Sequence, residues 1–210
     1  MRLFIGIDPS LNSTGLTFLH FDNEIKIREQ FYIIKPDKLT KKEEKAEKET
    51  DNFNYKVYLK HDLSKYKEEN HLYEFYKTMN MFVVLQFIYD IIIDECQKNI
   101  FETELDIYIV MEGISYGSSI RTKSVFDLAG LNYLIRYKIL NTVSNAPLTI
   151  VPPSELKKFT TGKGNANKDV IINLFSVLYP NFKLPKLDDI ADSFFMALYA
   201  KKIYEEQYTK

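Results

Sequence analysis

Near the N-terminus the run LFIGI, Leu3 to Ile7, carries no polar side chain and stops at Asp8-Pro9. So short and wholly apolar a run, closed by a turn, predicts a buried central strand of a sheet. The surrounding stretch reads IGIDPSLNSTG, Ile5 to Gly15. It delivers a carboxylate at the end of that strand, beside a turn of Ser, Asn, Ser and Thr. Taken alone, Asp8 is equally well a turn-capping residue. Its meaning depends on what the rest of the chain brings to it.

Further strands are expected at Leu16–Phe21 and Ile25–Ile34, joined through FDNE, which makes an N-terminal three-stranded meander. Leu72–Gln97 is apolar on nearly every face and free of Gly and Pro, so one long core helix is predicted. DIYIVMEG, Asp106 to Gly113, reads as a strand ending in Glu112. Ser124–Leu140 reads as an amphipathic helix and PLTIV, Pro147 to Val151, as another strand. Ser154 is a candidate N-cap for the helix that follows. Lys168–Leu178 and Asp188–Tyr204 complete the helices. The order ββ(β)–α–β–α–β–α–α predicts an α/β fold with a mixed sheet flanked by helices, in a single domain spanning residues 1–210.

The stretch 35–70 differs in character. It holds ten lysines and nine acids, including KKEEKAEKE. It is expected to be a solvated, mobile charged insertion, with Thr40–Thr50 dispensable to both fold and chemistry. An arm touching nucleic acid is the alternative, because Lys56, Lys60, His61, Lys65 and Lys67 alternate with Tyr55, Tyr58 and Tyr66. The balanced acids weigh against it.

Composition narrows the class. With 210 residues, 45% hydrophobic, the chain can bury a sizeable core. The formal net charge of −1 excludes a global positive field, so any polyanion has to be met by local patches. One cysteine, Cys96, excludes an intramolecular disulfide and suits a reducing compartment. The greasiest run, Met81–Ile93, is broken by Gln86 and Asp90 and is too short for a bilayer. A soluble cytoplasmic protein is expected.

Three acidic groups stand where burial alone would not put them. Asp8 and Glu112 end strands. Asp189 and Asp192, three apart in DDIAD, share a helix face that continues into Phe194, Phe195 and Leu198. Singly, each has an ordinary explanation as a turn cap, a solvated strand end or an acidic first turn. Together they place four oxygen donors at one end of an α/β sheet, where such sheets hold their sites. Like charges gathered so closely call for a cation, and an all-oxygen set favours Mg²⁺ or Mn²⁺. Two such ions per site would clamp the attacking and leaving oxygens of a phosphoryl displacement. Asp188 is four residues before Asp192 and competes with Asp189 for the third position.

For the substrate, SELKKFTTGKGNANKDV sets Lys157, Lys158, Lys163 and Lys168 around two glycines. Lysines there can meet DNA phosphates, or charge developing during cleavage. A second basic excess is Arg121, Lys123, Arg136 and Lys138 against Asp127.

These blocks resemble, in order, the RuvC-like Holliday junction resolvases of the RNase H-like superfamily, most of all the phage-encoded branch. IGIDPSLNSTG is similar to the family's first strand with its catalytic acid at Asp8, and IVMEGISYG to the segment carrying the second at Glu112. SELKKFTTGKGNANKDVI is similar to the lysine-glycine segment, with its lysines falling on Lys157 and Lys168. DDIADSFFMALYA is similar to the closing acidic helix, with Asp189 and Asp192 as its acids. The resemblance implies a homodimeric, Mg²⁺-dependent endonuclease of four-way DNA junctions and other branched DNA, leaving 5′-phosphate and 3′-hydroxyl ends. It also implies a junction-probing aromatic, for which Tyr116 is the candidate. The chain departs from the family's bacterial members at Ser10, where glycine is common, and in stretch 35–70. A sugar-kinase or actin-like phosphotransferase would need a second half that this length does not hold. A catalytically silent branched-DNA scaffold, or a nuclease of the same fold for another nucleic acid, is the remaining alternative.

Overall fold

The structure is a computed structural model that describes residues 1–98, 105–114, 123–143, 146–185 and 187–208, leaving aside the side chains of 123 and 124. Six strands form one mixed sheet in the order β4-β3-β2-β1-β5-β6. β1 (Arg2–Asp8), β2 (Thr14–Asp22) and β3 (Ile25–Pro36) are the expected meander, paired antiparallel. β5 (Asp106–Glu112) and β6 (Leu148–Val151) run parallel to β1. Parallel neighbours need a crossover, and α2 (Asn70–Gln97) and α3 (Lys123–Thr142) supply the helices for both. β1 thus lies between an antiparallel and a parallel partner, as its unbroken apolar run requires.

Strand alternation sends the two faces of the sheet into two cores. Leu3, Ile5, Ile7, Leu16 and Phe18 pack beneath α2 and α3 with Ile88, Ile92, Leu131 and Ile135. Phe4, Leu19, Phe31, Ile33 and Val110 pack on the opposite face. That face is covered by α4 (Pro153–Thr161), α5 (Lys168–Leu178) and α6 (Leu187–Tyr208). Under α2, the fully buried Glu95 accepts from Tyr32 Oη at 2.7 Å and pairs with Arg28 at 3.0 Å and Lys98 at 2.6 Å, pinning the helix end to β3.

Two readings of the sequence change. The charged stretch 35–70, expected as a solvated helix or loop, contains a helix followed by an edge strand of the sheet. α1 (Lys41–Glu49) opens with a capping box between Thr40 and Glu43, and β4 (Phe53–Tyr58) pairs parallel to β3. The physical reason is a buried ion pair. Glu43 receives Lys35 Nζ at 2.7 and 2.8 Å, so α1 is tied down although its sequence is almost wholly charged. Ala46 is buried beside it, and Glu47 accepts the backbone N–H of Tyr55 at 2.6 Å, which occupies one donor of the edge strand. Tyr55 and Tyr58 are buried, so these two tyrosines do not belong to an exposed arm. At α4 the N-cap is Pro152, not Ser154, because Pro153 takes the first helical position, where its fixed φ and missing N–H cost nothing.

Among the described residues, no helix is long and apolar enough to cross a membrane.

Candidate active site

Asp8 and Glu112 close β1 and β5, which are parallel neighbours in a register that matches Ile7 with Met111. The two carboxylates therefore emerge side by side at the same end and on the same face of the sheet. Between Asp8 and β2 the polar turn is stitched by its own hydroxyls. Thr14 Oγ1 donates to the Ser10 carbonyl at 2.8 Å and accepts the Ser10 N–H at 3.1 Å. Ser10 Oγ accepts from Asn12 and Ser13 N–H. Such side-chain-to-backbone bonding is what Ser and Thr do outside regular structure. Serine at position 10 thus has a task that glycine would leave undone.

α6 crosses the same face and brings the remaining acids. It lies directly on the backbones of β1 and β2, where Gly6 and Gly15 leave room. A hydrogen bond of 2.8 Å between Thr17 Oγ1 and Ser193 Oγ fixes the crossing from within the core. Asp189 is 9% exposed, and its Oδ2 accepts from Ser13 Oγ in the turn after Asp8. Asp192 is 15% exposed and 3.4 Å from Lys168 Nζ. Asp188, at 38% exposure, stands outside them and holds the same lysine at 3.0 Å. The ambiguity between Asp188 and Asp189 is thereby reduced to geometry. Asp189 crowds Asp8, whereas Asp188 anchors Lys168.

The electrostatics follow from this crowding. Burial raises the Asp8 carboxyl well above its usual range, and the charges of Glu112, Asp192 and Asp189 push it further. Glu112 is raised to about 7, by burial first and then by Asp192, with Asp8 within hydrogen-bonding reach. Asp192 is raised by burial, which Lys168 only partly offsets. Burial works against the Lys168 ammonium, but Asp192 and Asp188 outweigh it and hold the proton firmly. Lys157 also acts on Glu112 and Asp192, so two of the expected lysines face the acids.

The other basic residues are dispersed. Lys158 lines a separate groove with Phe159, Gly164, Tyr199 and Lys202. Lys163 is exposed in the loop after α4, at whose end Gly162 adopts φ +78°. Tyr116 and Arg121 lie outside the described residues, as does the side chain of Lys123 at the start of α3. Sequence reasoning assigned no role at the acids to Ser13 or Asn132. Asn132 Nδ2 donates to the Glu112 carbonyl at 2.9 Å, tying α3 to the end of β5 beside a cavity of about 140 Å³. Only strand register and helix placement, not spacing in the chain, could have exposed these two.

As they stand, no three acids, imidazoles or thiols among the described residues are gathered tightly enough to enclose a metal ion. Ser13 donates to Asp189, and Lys168 pairs with Asp192. The chemistry of the set nonetheless fits hard divalent cations. It is all oxygen, and it contains more buried carboxylate than one lysine neutralises.

No family model matches the chain, and no curated protein matches it. Among solved structures, Thermus thermophilus RuvC aligns with a TM-score of 0.51 at 12% identity, over 98% of this chain and 96% of that one. T. thermophilus RuvC in complex with a Holliday junction substrate aligns with a TM-score of 0.49 at 12% identity, over 99% and 97%. The mixed six-stranded sheet flanked by helices is thus similar to RuvC, an RNase H-like fold.

Proposed function

We propose that this chain is a structure-selective DNA endonuclease that resolves four-way junctions, and other branched DNA, by hydrolysis of phosphodiester bonds. The observation that carries the reading is the cluster itself. Two strand-end carboxylates, Asp8 and Glu112, are joined by Asp189 and Asp192 from one helix, and the carboxyls of Asp8 and Glu112 are pushed up by burial first and then by neighbouring carboxylates. A fold can tolerate such a cluster where counter-charge arrives with a ligand. The RuvC-like fold and the four ordered sequence blocks agree with it.

On this reading Asp8, Glu112, Asp189 and Asp192 hold two Mg²⁺ ions, with Mn²⁺ able to substitute. Bound there, the ions would supply a nucleophilic water at neutral pH and neutralise charge on the scissile phosphate. Lys168, kept protonated and aimed by Asp188, offers positive charge where the phosphate enters. Lys157 adds to that field. Lys158 and Lys163 meet the DNA backbone further out, and Tyr116, Arg121 and Lys123 extend the contact toward the branch point. The products carry 5′-phosphate and 3′-hydroxyl ends.

A homodimer completes the reading, because a junction presents two opposed strands. Its support in this structure is the outward face of α3, where Phe126, Tyr133, Tyr137 and Leu140 are exposed, continued on α2 by Phe75 and Phe82. So many exposed apolar groups on one layer mark an interaction surface. The phage-encoded branch rests on the sequence blocks alone, and the place of action is the cytoplasm.

The test is a synthetic four-way junction beside fork, flap and linear duplexes, with wild type and Asp8→Asn in Mg²⁺. Paired symmetric nicks in the junction, lost in the variant while binding is kept or strengthened, are expected. A junction bound but never cut, in Mg²⁺ or Mn²⁺, would leave a branched-DNA scaffold.

A further inference from the structure

β4 is built from the charged insertion, yet it carries Tyr55 into the same row of the sheet as the acids. The register pairs Asp8 with Gly15, Gly15 with Ile33 and Ile33 with Tyr55, while Glu112 pairs with Val151 on the other side. Residues in register across adjacent strands present their side chains to one face. In the middle of this row Gly15 leaves a gap, and the backbone of Asp189 fills it. Tyr55 lies beyond Ile33 in this row, within range of the Asp189 charge.

The Tyr55 ring is 6% exposed and packs edge-on against Phe53, with centroids 4.8 Å apart. Its hydroxyl is buried and has no hydrogen-bond partner among the described residues. Burying a donor without an acceptor is destabilising, and natural cores seldom keep one without a use for it. The charges around it are all negative. Burial, then Glu43, Glu47 and Asp189, hold the phenol in its protonated form, so it can act only as donor toward those carboxylates. Glu43 is already engaged by Lys35 and Thr40, and Glu47 accepts the Tyr55 backbone N–H. Asp189 also accepts from Ser13, but of the three it alone belongs to the acid cluster.

We propose that Tyr55 is a positioning residue for the acid centre, contributed by the insertion, whose hydroxyl donates to the Asp189 carboxylate when that carboxylate engages a divalent cation. The inference rests on the nuclease reading above and deepens it. The insertion is then a wall of the site, and its edge strand sets how well Asp189 is oriented for metal. Outer partners of a ligating carboxylate fix its direction, and losing one weakens metal binding by about 10-fold or more.

The test removes one oxygen. Mn²⁺ affinity of Tyr55→Phe is measured without DNA from the electron paramagnetic resonance of free Mn²⁺, beside the thermal midpoint of each protein in chelator. We expect Mn²⁺ affinity about 10-fold weaker, with a metal-free midpoint equal to or above that of the wild type, because the orphan donor is gone. A lowered midpoint with unchanged Mn²⁺ affinity would make the hydroxyl merely structural and overturn the inference. Unchanged values in both would overturn it as well. Asp8→Asn separates the two levels. If wild type binds Mn²⁺, Asp8→Asn does not, and Tyr55→Phe matches wild type, only the role of Tyr55 falls. If wild type takes up no Mn²⁺, the nuclease reading and this inference fall together.

Discussion

A side chain at residue 15 would collide with the backbone of Asp189: a Cβ built on Gly15 lies 2.2 Å from the Asp189 carbonyl oxygen and 2.7 Å from its carbon. Gly6 stands in the same relation to Ser193, at 1.8 Å from its carbonyl oxygen. The two glycines let a helix lie on bare sheet, and this close approach is what lowers Asp189 and Asp192 onto Asp8. The acid cluster therefore depends on the absence of two methyl groups.

Gly15→Ala is expected to unseat α6, because the obstructing atoms are backbone and cannot rotate away. Overpacking of this kind costs about 1–3 kcal/mol or more. The larger effect falls on the site, since any retreat of α6 withdraws two acids at once. Gly162→Ala is the control. There a Cβ would meet nothing within 4 Å, and only the φ of +78° is unfavourable, at about 1–2 kcal/mol. Chemical denaturation and Mn²⁺ binding of both variants check this. Retained metal affinity in Gly15→Ala would show that the acids do not depend on the crossing.

The raised carboxyl of Glu112 gives a pH dependence with a definite sign. Its usual value is 4.5 and in the folded chain it is about 7. A carboxyl raised by folding contributes stability that is fully present below its unfolded value and lost as pH rises through the folded one. Metal-free protein should therefore lose stability between about pH 4.5 and 7, by on the order of 2 kcal/mol after allowance for solvent. Saturating Mg²⁺ should restore it, because the ionised form is the one that binds. Glu112→Gln should flatten the profile. Thermal midpoints across this range, in chelator and in Mg²⁺, decide the matter. A wild-type profile parallel to that of Glu112→Gln would refute the raised Glu112 carboxyl.

Lys168 touches both Asp188 at 3.0 Å and Asp192 at 3.4 Å, and so couples an outer acid to an inner one. On the proposed nuclease reading, Lys168→Ala should lower the cleavage rate far more than junction affinity, since one half-exposed cation adds little to binding but would stand beside the reacting phosphate. Asp188→Asn should have a smaller effect in the same direction, because Asp192 still attracts the lysine. Single-turnover rates and binding isotherms at fixed salt measure the two separately. Equal losses in Asp188→Asn and Asp192→Asn would move Asp188 into the acid centre.

Much of this arrangement was legible in the chain. Leu3–Ile7 announced the central strand, and DDIAD at the head of an apolar helix announced acids turned toward the core. What stayed hidden is what adjacency across strands decides. Gly6 and Gly15 look like ordinary glycines until a helix is laid over them. Tyr55 sits among lysines and acids, so local composition argued for solvent, although in register it shares a row with Asp8. Within residues 35–70 the charged helix α1 is largely solvated as expected, and what was unforeseen is strand β4 and the tie that holds α1 to β3. A charged run reads as solvated unless its ion pairs are known to be buried, and the pairing of Lys35 with Glu43 is a contact between a strand and a helix that no local pattern reveals.

That pairing reverses the expected outcome of deleting Thr40–Thr50. The deletion removes Glu43 and so leaves Lys35, 13% exposed, without its carboxylate. It exposes the apolar surface under Ala46 and frees the Tyr55 N–H from Glu47. Breaking a buried pair by taking one partner costs about 3–5 kcal/mol, enough to detach β4 without unfolding the five strands inside it. The deleted protein should therefore stay folded but show fast amide exchange along Phe53–Tyr58, with Mn²⁺ affinity reduced as in Tyr55→Phe. Lys35→Met with Glu43→Leu makes the opposite case, because it replaces the pair by apolar groups of similar size and should keep β4 in place. Hydrogen exchange on the three proteins tests the argument, and protection of β4 that survives the deletion would mean that α1 is no support for the strand.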